Sequence, residues 1–255
     1  PPDRLAGRLD AMAVSLGISC LLLVKVHSTG VPVVLQAGGW AAPFGITFVA
    51  DRLSALFAVM SQLVLFTGII YAMGSKDACV QYPAFYPLFL FLATGLTGAM
   101  LTGDIFNLFV FIELLAISST VLTAISDDPL GLEAAYKYFY MSQLAAFFML
   151  LAVGALYVAY GTLNMAHLAL LSATEPAGMI STIAVAFLLA TFMIKSATFP
   201  FHFWQPDFHT AAPTPVSAML SSVVVKLGVY GFIRMTLLIF PAQAGMIQAL
   251  LVACG

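Results

Sequence analysis

Residues 195–216 read KSATFPFHFWQPDFHTAAPTPV and separate two long apolar segments of the chain. Four prolines, two histidines and one aspartate follow the lysine in this stretch. Proline inside a helix removes a hydrogen bond and clashes with the preceding turn, so the helix that leads into this stretch must break near Phe199. Irregular backbone at membrane depth is tolerated only where protein or water satisfies its polar groups. The stretch therefore predicts a broken helix beside a buried polar pocket or an ion path.

The composition of the whole chain is that of a membrane protein. Of the 255 residues, 62% are apolar and 8% charged, against about 45–50% and about 25% in soluble domains. The net charge of -2 offers no basic surface for nucleic acid. We therefore predict an all-α, polytopic membrane protein with seven spans and the start of an eighth. The spans are Leu9–Val26, Leu53–Met73, Phe85–Leu101, Ile105–Ile125, Phe139–Tyr160, Met179–Phe199 and Val216–Phe240.

The connector after the first span is long and contains two valine-rich runs. Val31–Leu35 and Ile46–Val49 lie on either side of Gly38-Gly39 and Pro43. Short β-branched runs separated by turn residues favour a hairpin. We predict a small hairpin on the membrane surface.

Glu113 is the first candidate functional residue, because it lies near the middle of a predicted span. A charged side chain there costs about 2.5–3.5 kcal/mol on insertion scales, so it should face the bundle and have a partner. Ionisable groups inside a membrane are functional by default. The alternative is a static ion pair that fixes helix packing.

Two lysines are further candidates. Lys195 lies close to the carboxyl end of the broken helix, where free carbonyls and the helix dipole favour a cation. Lys226 follows Thr214 by about 18 Å of helix, near mid-membrane, and we expect it to be buried. Buried lysines beside a carboxylate can gain and lose protons near neutral pH. The alternative for each is a side chain that reaches to the interface.

Lys137 and His209 are weaker candidates. Lys137 follows Glu133 by one helical turn, which also suits a solvated helix end. His209 has a side chain suited to carrying protons, although hydrogen bonding to the loop backbone explains it equally well. The three cysteines lack the spacing of metal or haem sites, so we expect no metal and no cofactor.

Two runs resemble the proton-conducting antiporter-like family of membrane proteins. They are residues 102–113, TGDIFNLFVFIE, and residues 195–220. That family includes the large membrane subunits of respiratory complex I and of the Mrp-type multisubunit Na+/H+ antiporters. The chain is most similar to the D-type branch of the Mrp antiporters, through Gly103-Asp104-x-Phe106-Asn107-Leu108, Gly38-Gly39-Trp40 and Pro43-x-Gly45-Ile46.

The resemblance implies two inverted five-helix repeats, each with a broken helix and half of a proton path. Residues 1–84 would be N-terminal helices with the hairpin, residues 85–240 the first repeat, and residues 241–255 the truncated start of the next helix. The second repeat would be missing, so the 255 residues alone should not conduct.

The resemblance also implies roles for the candidate residues. Glu113 would pair with Lys195 of the broken helix, and Lys226 would be the relay lysine of the following helix. Lys137 and His209 occupy positions where the family places polar groups.

We expect a proton-translocating subunit of a multisubunit Na+/H+ antiporter in a bacterial or archaeal cell membrane. Its partners would be other membrane subunits, lipid, protons and Na+. One alternative is an antiporter-like subunit of a complex I-like NADH dehydrogenase or a membrane-bound hydrogenase, which pumps for an electron-transfer arm. Another is a structural partner of a different catalytic chain, which the cost of retaining buried charges disfavours.

Overall fold

The computed structural model describes residues 2–174, 178–241 and 244–254. Strands β1 (Val33–Gln36) and β2 (Thr47–Ala50) pair antiparallel, with Val33 opposite Ala50. The helices are α1 (Pro2–Thr29), α2 (Arg52–Gly74), α3 (Ala78–Gln81), α4 (Phe85–Leu101), α5 (Ile105–Ala124), α6 (Pro129–Tyr160), α7 (Met165–Thr174), α8 (Met179–Lys195), α9 (Trp204–Ala211), α10 (Thr214–Ile233) and α11 (Ala244–Cys254). A π-helical turn, Leu220–Val224, interrupts α10, and a second π-helical segment, Arg234–Ile239, extends it.

The described helices confirm an all-helical, multi-pass membrane protein. Five of them, α1, α2, α5, α6 and α10, are long and apolar enough to cross a membrane. Of the other predicted spans, α4 and α8 have 17 residues each, slightly less than the roughly 20 that a perpendicular span needs. Residues 242–243 and Gly255 of the predicted last segment lie outside the described residues.

Aspartates at the helix N-termini explain where several helices begin. Asp51 accepts a hydrogen bond from the Ser54 amide at the start of α2, and Asp104 accepts one from Asn107 at the start of α5. Asp128 caps α6, and Pro129 occupies its first turn. Such caps satisfy backbone amides that have no partner inside the helix.

Three of the expected boundaries are wrong. Helix α6 begins at Pro129 rather than at Phe139, because Asp128 and Pro129 form an N-terminal cap ahead of the apolar run. The connector expected between the spans that end at Tyr160 and begin at Met179 contains a helix, α7. At its start, the Leu168 amide donates a hydrogen bond to the Asn164 carbonyl. The proline-rich stretch is also partly helical, since Pro206 lies in the first turn of α9, where a missing amide costs little.

The packing brings α5, α6 and α8 together. Helix α6 packs most extensively along α8, and α5 lies between α4 and α6. Helix α8 ends at Lys195, and Ala197 adopts a left-handed backbone conformation with φ of 52° directly after it. The core of the bundle is filled by large apolar side chains, including Phe85, Phe89, Leu92, Leu96, Ile105 and Phe192.

Candidate functional site

Glu113 of α5 and Lys195 of α8 meet in the interior of the bundle. Lys195 Nζ lies 3.9 Å from Glu113 Oε1, and the Lys195 and Glu113 side chains are only 10% and 17% exposed, respectively. Lys195 is the last residue of α8, so its charge also lies where the helix dipole favours a cation. Opposite charges this close in a low-dielectric interior attract each other strongly.

Helix α6 supplies one hydrogen-bond partner to each member of this pair. Gln143 Nε2 donates to Glu113 Oε2 at 3.1 Å, and Lys195 Nζ donates to Ser142 Oγ at 2.5 Å. Three helices therefore hold the two charged groups. Sequence reasoning missed Ser142 and Gln143, although two consecutive polar residues inside an apolar span were a visible signal.

The sequence around Asp104 fixes the start of the helix that carries Glu113. Asp104 caps α5 through the Asn107 amide at 2.8 Å, and Asn107 Nδ2 donates to Thr102 Oγ1 at 3.0 Å. Burial raises the pKa of the Asp104 carboxyl, against the lowering effect of the backbone amides of Asn107 and Phe106. Because the cap depends on an acceptor oxygen, the raised pKa does not remove it.

Gly103 joins the same turn to two other parts of the chain. Its amide donates to Thr47 O of β2 at 2.7 Å, and its carbonyl accepts from the Met165 amide of α7 at 2.8 Å. A Cβ atom at this position would lie 2.7 Å from Val49 Cγ2, so a side chain would force a shift. The Gly-Asp-x-Phe-Asn run is therefore a structural junction that positions α5.

Lys226 is exposed in the described structure, so the expectation that it is buried is wrong for this chain. Its Nζ donates to the backbone carbonyl of Ser221 at 3.1 Å, within the π-helical turn. That turn inserts into the helix between Thr214 and Lys226 and changes the register that a regular helix would give. Lys226 consequently lies on a face of α10 that the described residues do not cover.

Lys137 forms two ion pairs at the other end of α6. Its Nζ lies 2.7 Å from Glu133 Oε1, one turn away, and 2.7 Å from Asp207 Oδ2 of α9. All three side chains are more than 40% exposed. They line a pocket of about 230 Å³ with Thr210. The pair with Glu133 is the one that the sequence spacing predicts.

His209 is half-buried beside the start of α10. Ser217 Oγ donates to the His209 carbonyl at 3.0 Å and lies 3.4 Å from His209 Nδ1. His209 Nε2 is buried and makes no hydrogen bond with a described residue.

The structure thus separates the candidates: Glu113 and Lys195 are in contact, whereas Lys137, His209 and Lys226 lie outside that contact. Within the described part of the chain, no three His, Cys, Asp or Glu side chains are placed to hold a metal ion.

Several known proteins are similar to this chain in sequence. The chain is 34% identical over 242 residues to the D subunit of the Na(+)/H(+) antiporter of Alkalihalophilus pseudofirmus, a match that covers 94% of this chain and 49% of that protein. The chain spans about half the length of the curated relatives it matches.

Two solved structures share the fold. A chain of the Mrp complex from Dietzia sp. DQ12-45-1b superposes with a TM-score of 0.86 at 30% identity, over 93% of this chain and 44% of that one. A chain of the membrane-bound sulfane sulfur reductase, an archaeal respiratory membrane complex, superposes with a TM-score of 0.89 at 34% identity, over 98% and 51%. Residues 102–255 match the family described as "NADH:quinone oxidoreductase/Mrp antiporter, TM". The resemblance drawn from the two sequence runs is thereby confirmed, and the chain belongs to the NADH:quinone oxidoreductase/Mrp antiporter transmembrane family.

Proposed function

We propose that this chain is part of a proton-translocating subunit of a multisubunit Na+/H+ antiporter, and that Glu113 and Lys195 carry the proton. The contact between these two residues is the observation that carries the proposal, because a buried ion pair 3.9 Å apart joins two different helices. The similarity to the D subunit of an Na(+)/H(+) antiporter supports the choice of activity. The other membrane subunits of such a complex are its proposed partners.

The position of Lys195 suggests how ion movement elsewhere could drive a proton. Lys195 is the last residue of α8, and the chain is irregular until α9 begins at Trp204. A shift of this junction changes the distance between Lys195 and Glu113. Separating the pair in a low-dielectric interior disfavours both charged forms, so that Lys195 releases a proton and Glu113 takes one up.

Lys226, Lys137 and His209 have secondary roles in this proposal. Lys226 is the relay lysine, and its exposed face of α10 is where the rest of the longer protein would pack. Lys137 and Asp207 lie beside an open pocket where protons could be taken up. His209 lies in the last turn of α9, beside the start of α10, and its Nε2 makes no hydrogen bond with a described residue.

Transport by the complete complex tests the central pair. The complex with the full-length protein is reconstituted into vesicles, and Na+-driven proton movement is followed with a pH-sensitive dye. We expect Glu113→Gln and Lys195→Ala to reduce transport to the level of empty vesicles, and Lys226→Ala to impair it independently. Asp77→Asn, which neutralises an exposed carboxylate, is the control. Wild-type transport by Glu113→Gln would refute the proposal.

A second candidate function follows from the similarity to a chain of an archaeal respiratory complex. In that case the same pair would pump protons for an electron-transfer arm. The energy source separates the two functions. If the second function is right, proton movement in vesicles would respond to a redox substrate and not to a Na+ gradient. Flavin or iron–sulfur subunits in the purified complex would point the same way.

A further inference from the structure

We propose that a transmembrane helix of a neighbouring subunit packs into a groove between α1 and α4, and that a hydroxyl or amide side chain of this helix donates a hydrogen bond to Gln62. The groove has a volume of about 350 Å³, and its polar wall consists of Ser15 of α1, Gln62 of α2, and Thr94 and Thr97 of α4. The choice of a neighbouring subunit rests on the proposed function, which makes this chain part of a multisubunit complex.

Gln62 has a carbonyl oxygen without a partner. The residue is 1% exposed and lies near the middle of α2. Thr97 donates its hydroxyl proton to Ala93 O at 2.7 Å, so Thr97 Oγ1 can only accept from Gln62 Nε2. This contact fixes the orientation of the amide, and Gln62 Oε1 is left buried without a hydrogen bond to a described residue. Buried polar groups in native proteins nearly always have a partner, so this oxygen needs a donor from outside the described residues.

The α4 wall of the groove offers hydrogen-bond acceptors rather than donors. The Thr94 hydroxyl donates to Leu90 O at 2.8 Å, just as the Thr97 hydroxyl donates to Ala93 O. Each threonine therefore uses its only side-chain proton within α4, and its oxygen can still accept a hydrogen bond. Together with Gln62 Oε1, these oxygens match a partner that carries an O–H or N–H group.

The depth of Gln62 favours a helix over a lipid as the occupant of the groove. The hydrocarbon core of a bilayer is about 30 Å thick, so the donors of lipid headgroups lie roughly 15 Å from its middle. Acyl chains have no donor, and the hydrocarbon region contains no water. Polar side chains of transmembrane helices do form hydrogen bonds with other helices at this depth. Because Gln62 Oε1 is buried, the donor must project into the groove, as a side chain of a helix does.

Helix α1 has the surface that such a packing helix needs. It packs along α2, and its described buried side chains, Met12, Ser19 and Val26, recur every seventh residue and form one narrow stripe. Ala11 and Ser15 lie beside this stripe and line the groove. Small residues such as these allow the backbones of two transmembrane helices to approach closely.

A contact between α1 and α4 holds the two walls of the groove together at one end. The Arg8 guanidinium lies 4.3 Å from the centre of the Tyr86 ring. Arg8 and Tyr86 lie one turn before Met12 and Leu90, which both line the groove. Walls that are held in place before binding reduce the entropy that binding costs.

The position of the groove indicates a neighbouring subunit as the source of the helix. The described residues that line the groove belong to α1, α2, α4 and α5. We place the rest of the longer protein on the exposed face of α10 around Lys226, and α10 does not border the groove. The groove is therefore free for a helix of another chain.

Two substitutions test the groove in the complete complex with the full-length protein. Gln62→Leu removes the acceptor and keeps a side chain of similar size, whereas Thr94→Phe places a bulky ring at an exposed position of the wall. Native mass spectrometry in mild detergent measures the fraction of complexes that have lost the neighbouring subunit. We expect Gln62→Leu to weaken the binding of this subunit about two- to tenfold, as the loss of one hydrogen bond predicts. Thr94→Phe should weaken it further.

Thr67→Phe is the matched control. Thr67 is also exposed, and its hydroxyl also donates to a carbonyl of its own helix, but Thr67 does not line the groove. Its substitution should leave the binding of the neighbouring subunit unchanged.

A cryo-EM map of the wild-type complex identifies the occupant of the groove. We expect a helix of another subunit, with an O–H or N–H group within hydrogen-bonding distance of Gln62 Oε1. A helix of the same polypeptide, lipid density or water alone in the groove would overturn the inference, as would wild-type binding of the neighbouring subunit in both variants.

The proposed function is tested separately, because Glu113→Gln should abolish transport without loss of a subunit. If it did so while the groove held lipid, the proposed function would stand and this inference would fail. If Glu113→Gln transported normally while a helix of another subunit lay in the groove, the reverse would hold.

Discussion

Arg234 holds Asp51 in a two-point ion pair across 183 residues of sequence. One guanidinium nitrogen bonds to Oδ2, and Nη2 lies 3.2 Å from Oδ1. Arg234 Nη2 and Nε also donate to the Tyr230 hydroxyl at 2.7 and 3.1 Å, and that hydroxyl donates to Met100 O at 2.7 Å. The network ties the start of α2 and the end of α4 to the end of α10.

Removing one member of this pair should destabilise the protein. The Arg234 and Asp51 side chains are 9% and 24% exposed. Arg234→Ala therefore leaves the partly buried Asp51 carboxylate without its cationic partner. We expect Arg234→Ala to cost about 2–4 kcal/mol, and Asp51→Ala to cost about as much. The double variant should cost less than the sum of the two. The thermal unfolding of the solubilised complex measures all three.

Arg52→Ala is the matched control for this cycle, because Arg52 is exposed and adjacent to Asp51. Its removal should change stability by less than about 0.5 kcal/mol. Additive costs in the double variant would show that Asp51 and Arg234 act independently.

The stability that the Asp51–Arg234 pair contributes should depend on pH, because Asp51 can be protonated. Burial alone would raise the pKa of Asp51, but the hydrogen bonds from Arg234 and Ser54 outweigh it and hold the pKa below its usual value. A carboxyl group with a lowered pKa stabilises the folded state above its unfolded pKa of about 3.9, and this contribution is lost as the pH falls through the folded value. The difference in stability between wild type and Asp51→Asn should therefore be constant above about pH 5 and shrink below about pH 4. A constant difference down to about pH 3 would contradict this assignment.

The Glu113–Lys195 pair could be predicted from the sequence, whereas the ion pair between Asp51 and Arg234 could not. Glu113 and Lys195 each stand out because a charge in an apolar span needs a partner, and the family resemblance implies that they pair with each other. Asp51 lies just before one apolar run, and Arg234 lies near the carboxyl end of another, where a long side chain can reach the interface. Nothing local in the sequence therefore connects the two residues. Helix α7 did carry a signal, since Asn164 accepts from the His167 amide as an N-cap does.

The exposure of Lys226 could not be predicted for a different reason. Its depth along α10 follows from its distance from Thr214, but the side that it faces depends on helical register. Each residue turns a helix by about 100°, so the π-helical turn before Lys226 displaces every later side chain. What packs against that face is also not encoded in α10 itself.

The cap of α5 should tolerate loss of charge but not loss of the acceptor. Asp104→Ala removes the oxygen that accepts from the Asn107 amide, and we expect a cost of about 1 kcal/mol. Asp104→Asn keeps an acceptor oxygen, and burial already disfavours the charge by raising the pKa of Asp104. The stability of the Asp104→Asn variant should therefore stay close to that of the wild type. Equal melting temperatures for the two variants would show that the cap does not stabilise α5.

The Lys137 cluster should matter for transport and hardly at all for stability. Exposed ion pairs contribute less than about 1 kcal/mol, and Lys137, Glu133 and Asp207 are all solvent-accessible. Lys137→Gln should therefore leave the melting temperature nearly unchanged. If protons are taken up at the pocket that Lys137 and Asp207 line, transport by Lys137→Gln and by Asp207→Asn should decrease most at high pH, where protons are scarce. Glu133→Gln should have a smaller effect, because Glu133 is the partner on α6 itself and does not join α6 to α9. Normal transport by Lys137→Gln across the pH range, with Lys195→Ala inactive, would place the uptake of protons elsewhere.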